Sequence, residues 1–357
     1  MPLRTEVRRT PGAPIGAPPP TTEADLDRLL SEPRPGVIDA LRHTEGDVLV
    51  LGAGGKMGPT LARMLRRALD IARPGARVIA VSRFSSAAAA TALAGAGVET
   101  IRCDLTDRAA VAALPDAPNV IFMAGQKFGT RDDPAATWMM NVVVPAIAAE
   151  RYAHSRIVAF STGNVYALTP AASGGSLESD PLAPIGEYAA SCVGRERVLE
   201  YYSARNGTPV AIVRLNYAID LRYGVLTDIA TKVLRKEPVD VRMGYVNVIW
   251  QGDASARAIQ CLPLAASPPF VVNVTGLETL AVRGIAEYFG QVFNRTPVIE
   301  GTEAPDALLS NATRSAELFG PPAIDIGQMM SWVADWVLRG GASLGKPTHF
   351  EERGGKF

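Results

Sequence analysis

The most constraining feature of the chain is a short apolar run that ends in glycine. Asp47-Val-Leu-Val-Leu51 has the composition of a buried strand, and Gly52-Ala-Gly-Gly-Lys-Met-Gly58 follows without a break. From Pro59 to Ala72 the apolar residues Leu61, Met64, Leu65, Ala68 and Ala72 recur near the helical period, and Pro74-Gly75 ends the pattern. A second strand, Arg77-Val-Ile-Ala-Val81, comes next. Strand, glycine turn, helix and strand in this order make one βαβ unit, which belongs to a parallel sheet covered by helices.

The glycines fit two spacings, and both impose the same demands. One glycine makes the tight turn, one lets the backbone approach a pyrophosphate, and one lets helix and strand pack closely. The helix N-terminus then offers free N–H groups to phosphate oxygens. Gly52, Gly55 and Gly58, with Lys56 and Met57 between them, are therefore candidate dinucleotide ligands. An NAD site usually has Asp or Glu at the end of the second strand. Here that strand runs into Ser82-Arg83-Phe84, with no acid. A hydroxyl and a guanidinium suit a 2′-phosphate, so NADP is favoured and NAD stays open.

Bulk composition removes several classes. The 357 residues carry 36 Lys+Arg against 36 Asp+Glu, and that balance argues against a nucleic-acid partner. Hydrophobic residues make up 47%, too many for a disordered chain. Three cysteines and three histidines, widely spaced, leave little for a disulfide framework or a metal site. No apolar run approaches the roughly 18–20 residues of a membrane span, so a cytoplasmic protein without a membrane partner is expected.

The organisation follows from punctuation along the chain. Residues 1–20 form a Pro-rich arm read as disordered. Residues 21–45 form a helical extension, with Thr21-Thr22-Glu23-Ala24-Asp25 supplying cap residues and early acids and Pro33 and Pro35 ending its first helix. A doubly wound α/β Rossmann core covers 46–218, and a smaller substrate-binding region covers 219–338, with a returning core strand at 270–276. Residues 339–357 are a Gly-containing tail, read as solvated, although Lys346-Pro-Thr-His-Phe350 is unusually specific for one.

Further segments resemble the extended short-chain dehydrogenase/reductase family, the NAD(P)-dependent epimerase/dehydratase group. Besides the glycine turn they are Ile101-Arg-Cys-Asp104-Leu105, Asn119 to Gly125, Trp138 to Val144 with Asn141, and Arg156 to Tyr166. Gly186-Glu-Tyr-Ala-Ala-Ser-Cys192, Val213-Arg-Leu-Asn-Tyr217 and Val271 to Gly276 complete the set. The resemblance covers roughly residues 47–280. It implies that Asp104 and Leu105 meet the adenine, and that Met123, Ala124 and Gly125 pass under the cofactor. Leu215 and Asn216 then lie beside the nicotinamide, and Asn141 is the family's structural Asn near the cofactor. Thr162 and Tyr188 fall on the catalytic hydroxyl and the catalytic Tyr. A homodimer through the Tyr188 helix is also implied.

One departure bears on mechanism. The family motif is Tyr-x-x-x-Lys, and here the Lys position is Cys192. None of the nine tyrosines has Lys four residues later. In the family the Lys charge lowers the Tyr pKa from about 10, which a neutral thiol does not do. Lys127, just after the fourth strand, and Arg195, about 10 Å farther along the Tyr188 helix, are the candidate substitutes. Lys127 is the preferred one.

On the substrate side the candidates are Asn164, Tyr217, Arg222 and Trp250, a set suited to a sugar-like or anionic small molecule. Family dehydratases carry an Asp-Glu pair after the catalytic Thr. Gly163-Asn164 stands there instead and argues against dehydration. The expected function is an oxidoreductase or epimerase acting on a carbohydrate-like alcohol or ketone. The missing Lys motivates an alternative, a catalytically silent NADP(H)-binding sensor or scaffold.

Overall fold

The computed structural model describes residues 18–130 and 132–356. Most of the Pro-rich arm lies outside the described residues. The core is a seven-stranded parallel sheet. Its strands are β1 (Val48–Leu51), β2 (Val78–Ser82), β3 (Glu99–Arg102), β4 (Asn119–Phe122), β5 (Arg156–Thr162), β6 (Val210–Leu215) and β7 (Phe270–Val274). Their order across the sheet is β7-β6-β5-β4-β1-β2-β3. Chain direction across the sheet reverses between β1 and β4, and that reversal opens a crevice at their carboxyl ends.

The apolar run that opened the sequence explains why β1 is central. All four of its residues are buried. Val48 and Val50 pack with the helix Gly58–Ala72 on one face, while Leu49 and Leu51 pack with Val120, Phe122 and Ile147 on the other. A strand covered on both faces has no use for polar alternation.

Outside this sheet lies a second lobe with its own core. Ile219, Val225, Ile229, Trp250, Phe289 and Trp332 pack there with Phe350 from the tail. Short strand pairs brace the lobe, Pro238–Asp240 with Val298–Glu300 and Tyr245–Val246 with Leu280–Ala281. The segment from Met243 to Asp253 is only partly strand. After Ile249–Trp250 it turns into the helix Gln251–Gln260. The two N-terminal helices, Glu23–Leu30 and Pro35–Arg42, join both cores. Leu26 and Leu30 enter the second lobe, and Val37 and Leu41 enter the first. Pro35 stands at the start of the second helix, where its missing N–H costs nothing.

Gly58 opens the helix after the turn, and a Cβ there would lie 2.2 Å from the carbonyl oxygen of Ala53. Gly58→Ala should therefore push helix and turn apart. The expected result is about 1–3 kcal/mol lost in denaturant unfolding, with nicotinamide dinucleotide binding weakened in the same variant.

Candidate active site

The crevice at the carboxyl ends of the strands holds a cavity of about 180 Å³. Each wall comes from a different element. Lys56 and Met57 project from the glycine turn, Lys127 from the loop after β4, and Thr162 from the last position of β5. Tyr188 comes from the first turn of the helix Gly186–Asn206, and Leu215 to Ala218 come from the end of β6. The second lobe adds Tyr223, Gly224 and Val225, the helix Gln251–Gln260 packed against the main core adds Gln251, and the tail adds Thr348. Three residues chosen from sequence as catalytic, Thr162, Tyr188 and Lys127, thus share one cavity.

The turn between β1 and the next helix fits a dinucleotide. Gly52 has φ +86°, and a Cβ there would meet the backbone nitrogen of Ala124 at 2.5 Å, so β1 and β4 approach closely only because this residue is glycine. A Cβ on Gly55 would meet only the Gly52 oxygen, at 3.5 Å, which leaves that face of the turn open. The N-cap residue Met57 makes no side-chain capping bond to the helix Gly58–Ala72. Its first N–H groups are therefore available to a pyrophosphate. Ser82 lies directly under the turn, 2.5 Å from where a Gly54 Cβ would be, and Arg83 is exposed beside it. Asp104, at the end of β3, accepts from Thr106 N and Oγ1 at 3.0 and 2.8 Å, and these bonds hold its carboxyl below the usual range.

Around Tyr188 the electrostatics are unusual. Its side chain packs against Cys192 and lines the cavity together with Thr162. Burial pushes the phenol well above its ordinary pKa, Cys192 adds to that, and the Arg195 charge opposes it. Cys192 is fully buried, and its thiol is pushed up by burial, with Arg195 again opposing. The Lys127 ammonium is 5.9 Å from the centroid of the Tyr188 ring. Burial pulls its pKa down to about 8, with Cys192 acting in the other direction. Lys56 is an exposed residue, yet its Nζ is turned onto the Tyr223 ring, 3.0 Å from the centroid. That enclosure, with Lys127 and Lys346 nearby, lowers its pKa to about 7.

Arg195 is held in place from below. It is buried, and it donates to Phe160 O at 2.6 Å and to Asn141 Oδ1 at 2.8 Å. Among the described residues its hydrogen bonds go to neutral oxygens. Gly125 makes room for it, since a Cβ there would sit 2.6 Å from the Arg195 Nη2. Asn141 is presented by a single π-helical turn, Met139–Val143. Its amide also bonds Gln126 N and O at 2.9 Å each and Ser191 Oγ at 2.9 Å.

Under Thr162 lies a second buried charge system. Arg214 of β6 meets Glu196 of the Tyr188 helix at 2.7 Å, and both side chains are out of water. Ser161 Oγ donates to Glu196 Oε1 at 2.5 Å, and Arg214 Nη1 donates to Tyr166 Oη at 2.7 Å. Burial opposes the Arg214 charge, but Glu196 more than offsets it, so its pKa ends above the ordinary guanidinium value. Glu196→Ala should leave an unpaired buried guanidinium, at a cost of about 3–5 kcal/mol. Denaturant unfolding would measure the loss, and a cost below about 1 kcal/mol would contradict this account.

Several residues singled out from sequence do not face the cavity. Asn141 is fully buried, and its amide is used within the protein, so it braces the β4 loop rather than offering groups to a cofactor. Arg222 is neutralised by Asp220 and Asp27 at 2.8 and 2.9 Å, and its guanidinium is committed there rather than to an anion. Trp250 is fully buried against Trp332, with ring centroids 5.5 Å apart, and cannot stack on a sugar. Asn216 lines the cavity, but its amide nitrogen is taken by Asn247 Oδ1 at 2.9 Å. Asn164, Leu215 and Tyr217 do line it, the last with a left-handed backbone at φ +40°. Tyr223 and Thr348 also line it and were not foreseen. Only Thr348 had a sequence signal, the specificity of the Lys346–Phe350 stretch.

Comparison with known proteins agrees with this fold. No curated protein sequence matches the chain. Among solved structures, MoeE5 in complex with UDP-glucose and NAD superposes with TM-score 0.66 at 19% identity, covering 83% of this chain and 99% of that one. Pal from Bacillus thuringiensis gives 0.68 at 18% identity, covering 82% and 99%. UDP-glucuronic acid 4-epimerase from Bacillus cereus in complex with NAD gives 0.67 at 16%, again covering 82% and 99%. At these identities the likeness is one of fold. The model of the NAD dependent epimerase/dehydratase family matches residues 48–240, more than half of the chain and all of the strands from β1 to β6. The chain belongs to the NAD dependent epimerase/dehydratase family.

Proposed function

We propose that the protein is an NAD(P)-dependent oxidoreductase or epimerase acting on a carbohydrate-like alcohol or ketone. The observation that carries this reading is the convergence of Thr162, Tyr188 and Lys127 on one cavity beside an uncapped, glycine-lined helix start. When bound, the nicotinamide supplies hydride exchange with a carbon of the substrate. The glycine turn and the helix N-terminus hold the pyrophosphate, and Asp104 and Leu105 flank the adenine. Thr162 hydrogen-bonds the reacting oxygen, and Tyr188 exchanges its proton. Asn164 and Tyr217 contact the rest of the substrate.

The cation that the motif lacks comes from elsewhere in this reading. Lys127 stands beside the Tyr188 ring, and Arg195 is fixed beneath Cys192. Both charges favour the phenolate that proton exchange creates. Tyr188→Phe should lower turnover by about 10²–10⁴, measured as NAD(P)H absorbance with a panel of sugars and keto-sugars. Activity surviving that change would sink the mechanism. Lys127 is charged below its pKa of about 8 and neutral above it. Turnover should accordingly fall as pH rises through about 8, and Lys127→Arg should move the fall upward by more than one pH unit.

NADP is the favoured cofactor, because Ser82 and an exposed Arg83 end β2 where an acid would favour NAD. Arg83→Ala should weaken NADPH binding about 10–100-fold and leave NADH within about twofold. Equal losses for both would argue against a 2′-phosphate contact. The homodimer belongs to the same proposal, with Trp138 and Tyr201 exposed on and beside the Tyr188 helix.

The silent sensor remains the second reading, favoured by the buried Cys192 and the raised Tyr188. It predicts NADP(H) binding without turnover on any panel, unchanged in a Thr162→Ala/Tyr188→Phe double variant.

A further inference from the structure

The last residues of the chain are built into the fold. The Trp336 indole donates to Ala342 O at 3.0 Å, and Leu344 N donates to Arg222 O at 3.0 Å. Thr348 donates from N and Oγ1 to one oxygen of Asp228, at 2.7 and 2.6 Å. Phe350 is 1% exposed, within the core of the second lobe. Arg353 pairs with Asp306 and donates to its carbonyl oxygen at 2.8 Å. Gly355, at φ +70°, touches the start of the Tyr188 helix, where a Cβ would lie 2.2 Å from Ile185 O. A Cβ on Gly186 would in turn lie 2.4 Å from Gly355 O. The segment therefore runs from the second lobe to the element that carries Tyr188, with anchors along its length.

Its path bounds the substrate side of the cavity. Thr348 lines the main cavity, while Glu352, Arg353 and Gly355 line a crevice of about 20 Å³ beside it. Asn164 lines both. Sites for drug-sized ligands occupy roughly 300–1,000 Å³. The main cavity, at about 180 Å³, falls below that range. Widening it toward the crevice would require lifting a segment that has Phe350 in a core and a carboxylate committed to its backbone. A nucleotide-linked sugar carries a base, a ribose and two phosphates beyond its reacting ring, more than a cavity of this size holds.

We propose that residues 343–355 are a fixed wall of the substrate pocket, and that this wall restricts the substrate to a single unconjugated sugar-sized polyol or hydroxyketone, shutting out nucleotide-linked sugars. The restriction rests on the function proposed above in one respect, that the cavity of Thr162 and Tyr188 receives the substrate.

The test uses the full-length protein with UDP-glucose as the probe. Calorimetric titration in saturating NADP⁺ should show no saturable binding of UDP-glucose up to about 1 mM. Acetic anhydride labelling of Lys127, read by mass spectrometry, reports on the wall directly. Gly355→Val drives a side chain into Ile185 O and should raise Lys127 labelling about tenfold. Thr348→Val, a milder change that removes one bond to Asp228, should raise it less and keeps the test usable if Gly355→Val does not fold. Saturable UDP-glucose binding by the wild-type protein, or wild-type labelling rates in folded forms of both variants, would overturn the proposal. Nicotinamide binding is measured separately by NADPH fluorescence. Its failure would refute the proposed function, whereas the labelling result decides the wall on its own.

Discussion

Two charges held out of water organise the middle of this protein. Glu196 and Arg214 join the Tyr188 helix to β6, and Ser161 ties the same carboxylate to β5. Tyr166 extends the system from Arg214 to Asn273 of β7, at 2.8 Å. Water cannot replace any of these partners, so a small rotation of the helix would strand a charge. The pair contributes geometry more than net energy. It fixes the end of β5, and with it Thr162, against the first turns of the helix that carries Tyr188.

Above that base the site is assembled from separated pieces of chain. The glycine turn and the uncapped helix face one end of the cavity, and Thr162 and Tyr188 face the other. Asn141 and Arg195 hold the loop after β4 against the Tyr188 helix, and Lys127 projects from that same loop. Cys192, not Lys, stands four residues after Tyr188 on the same helix. The positive charge near Tyr188 comes instead from a loop and from one more helical turn below. The tail closes the remaining side by spanning from Asp228 to Gly186.

Some of this was legible from local pattern. The Gly52, Gly55 and Gly58 spacing has meaning because only glycine permits the contacts with Ala124 and Ala53, and that demand is set within a few residues. Strands buried on both faces leave continuous apolar runs, so β1 could be read, while β4 and β5 were located through the family resemblance. Arg222 and Trp250 were misread for a common reason. An arginine or a tryptophan in a polar-apolar mixture looks alike whether its partner is a ligand or the protein. Asp220, two residues away, and Asp27, from the N-terminal extension, neutralise Arg222, and Trp332, from the last helix, covers Trp250. Asp27 and Trp332 are distant in sequence from the residues they cover.

The sequence by itself determined the βαβ start, the parallel sheet, and the absence of Lys four residues after any Tyr. These follow from backbone conformation, hydrophobic period and motif spacing, which act over a few residues. Only the tertiary structure decided that Lys127 faces Tyr188, that Asn141 and Arg195 are braces, and that the tail walls the cavity. Those outcomes depend on which charges are neutralised and which surfaces are covered by segments far along the chain, and burial of that kind exists only once the chain has packed.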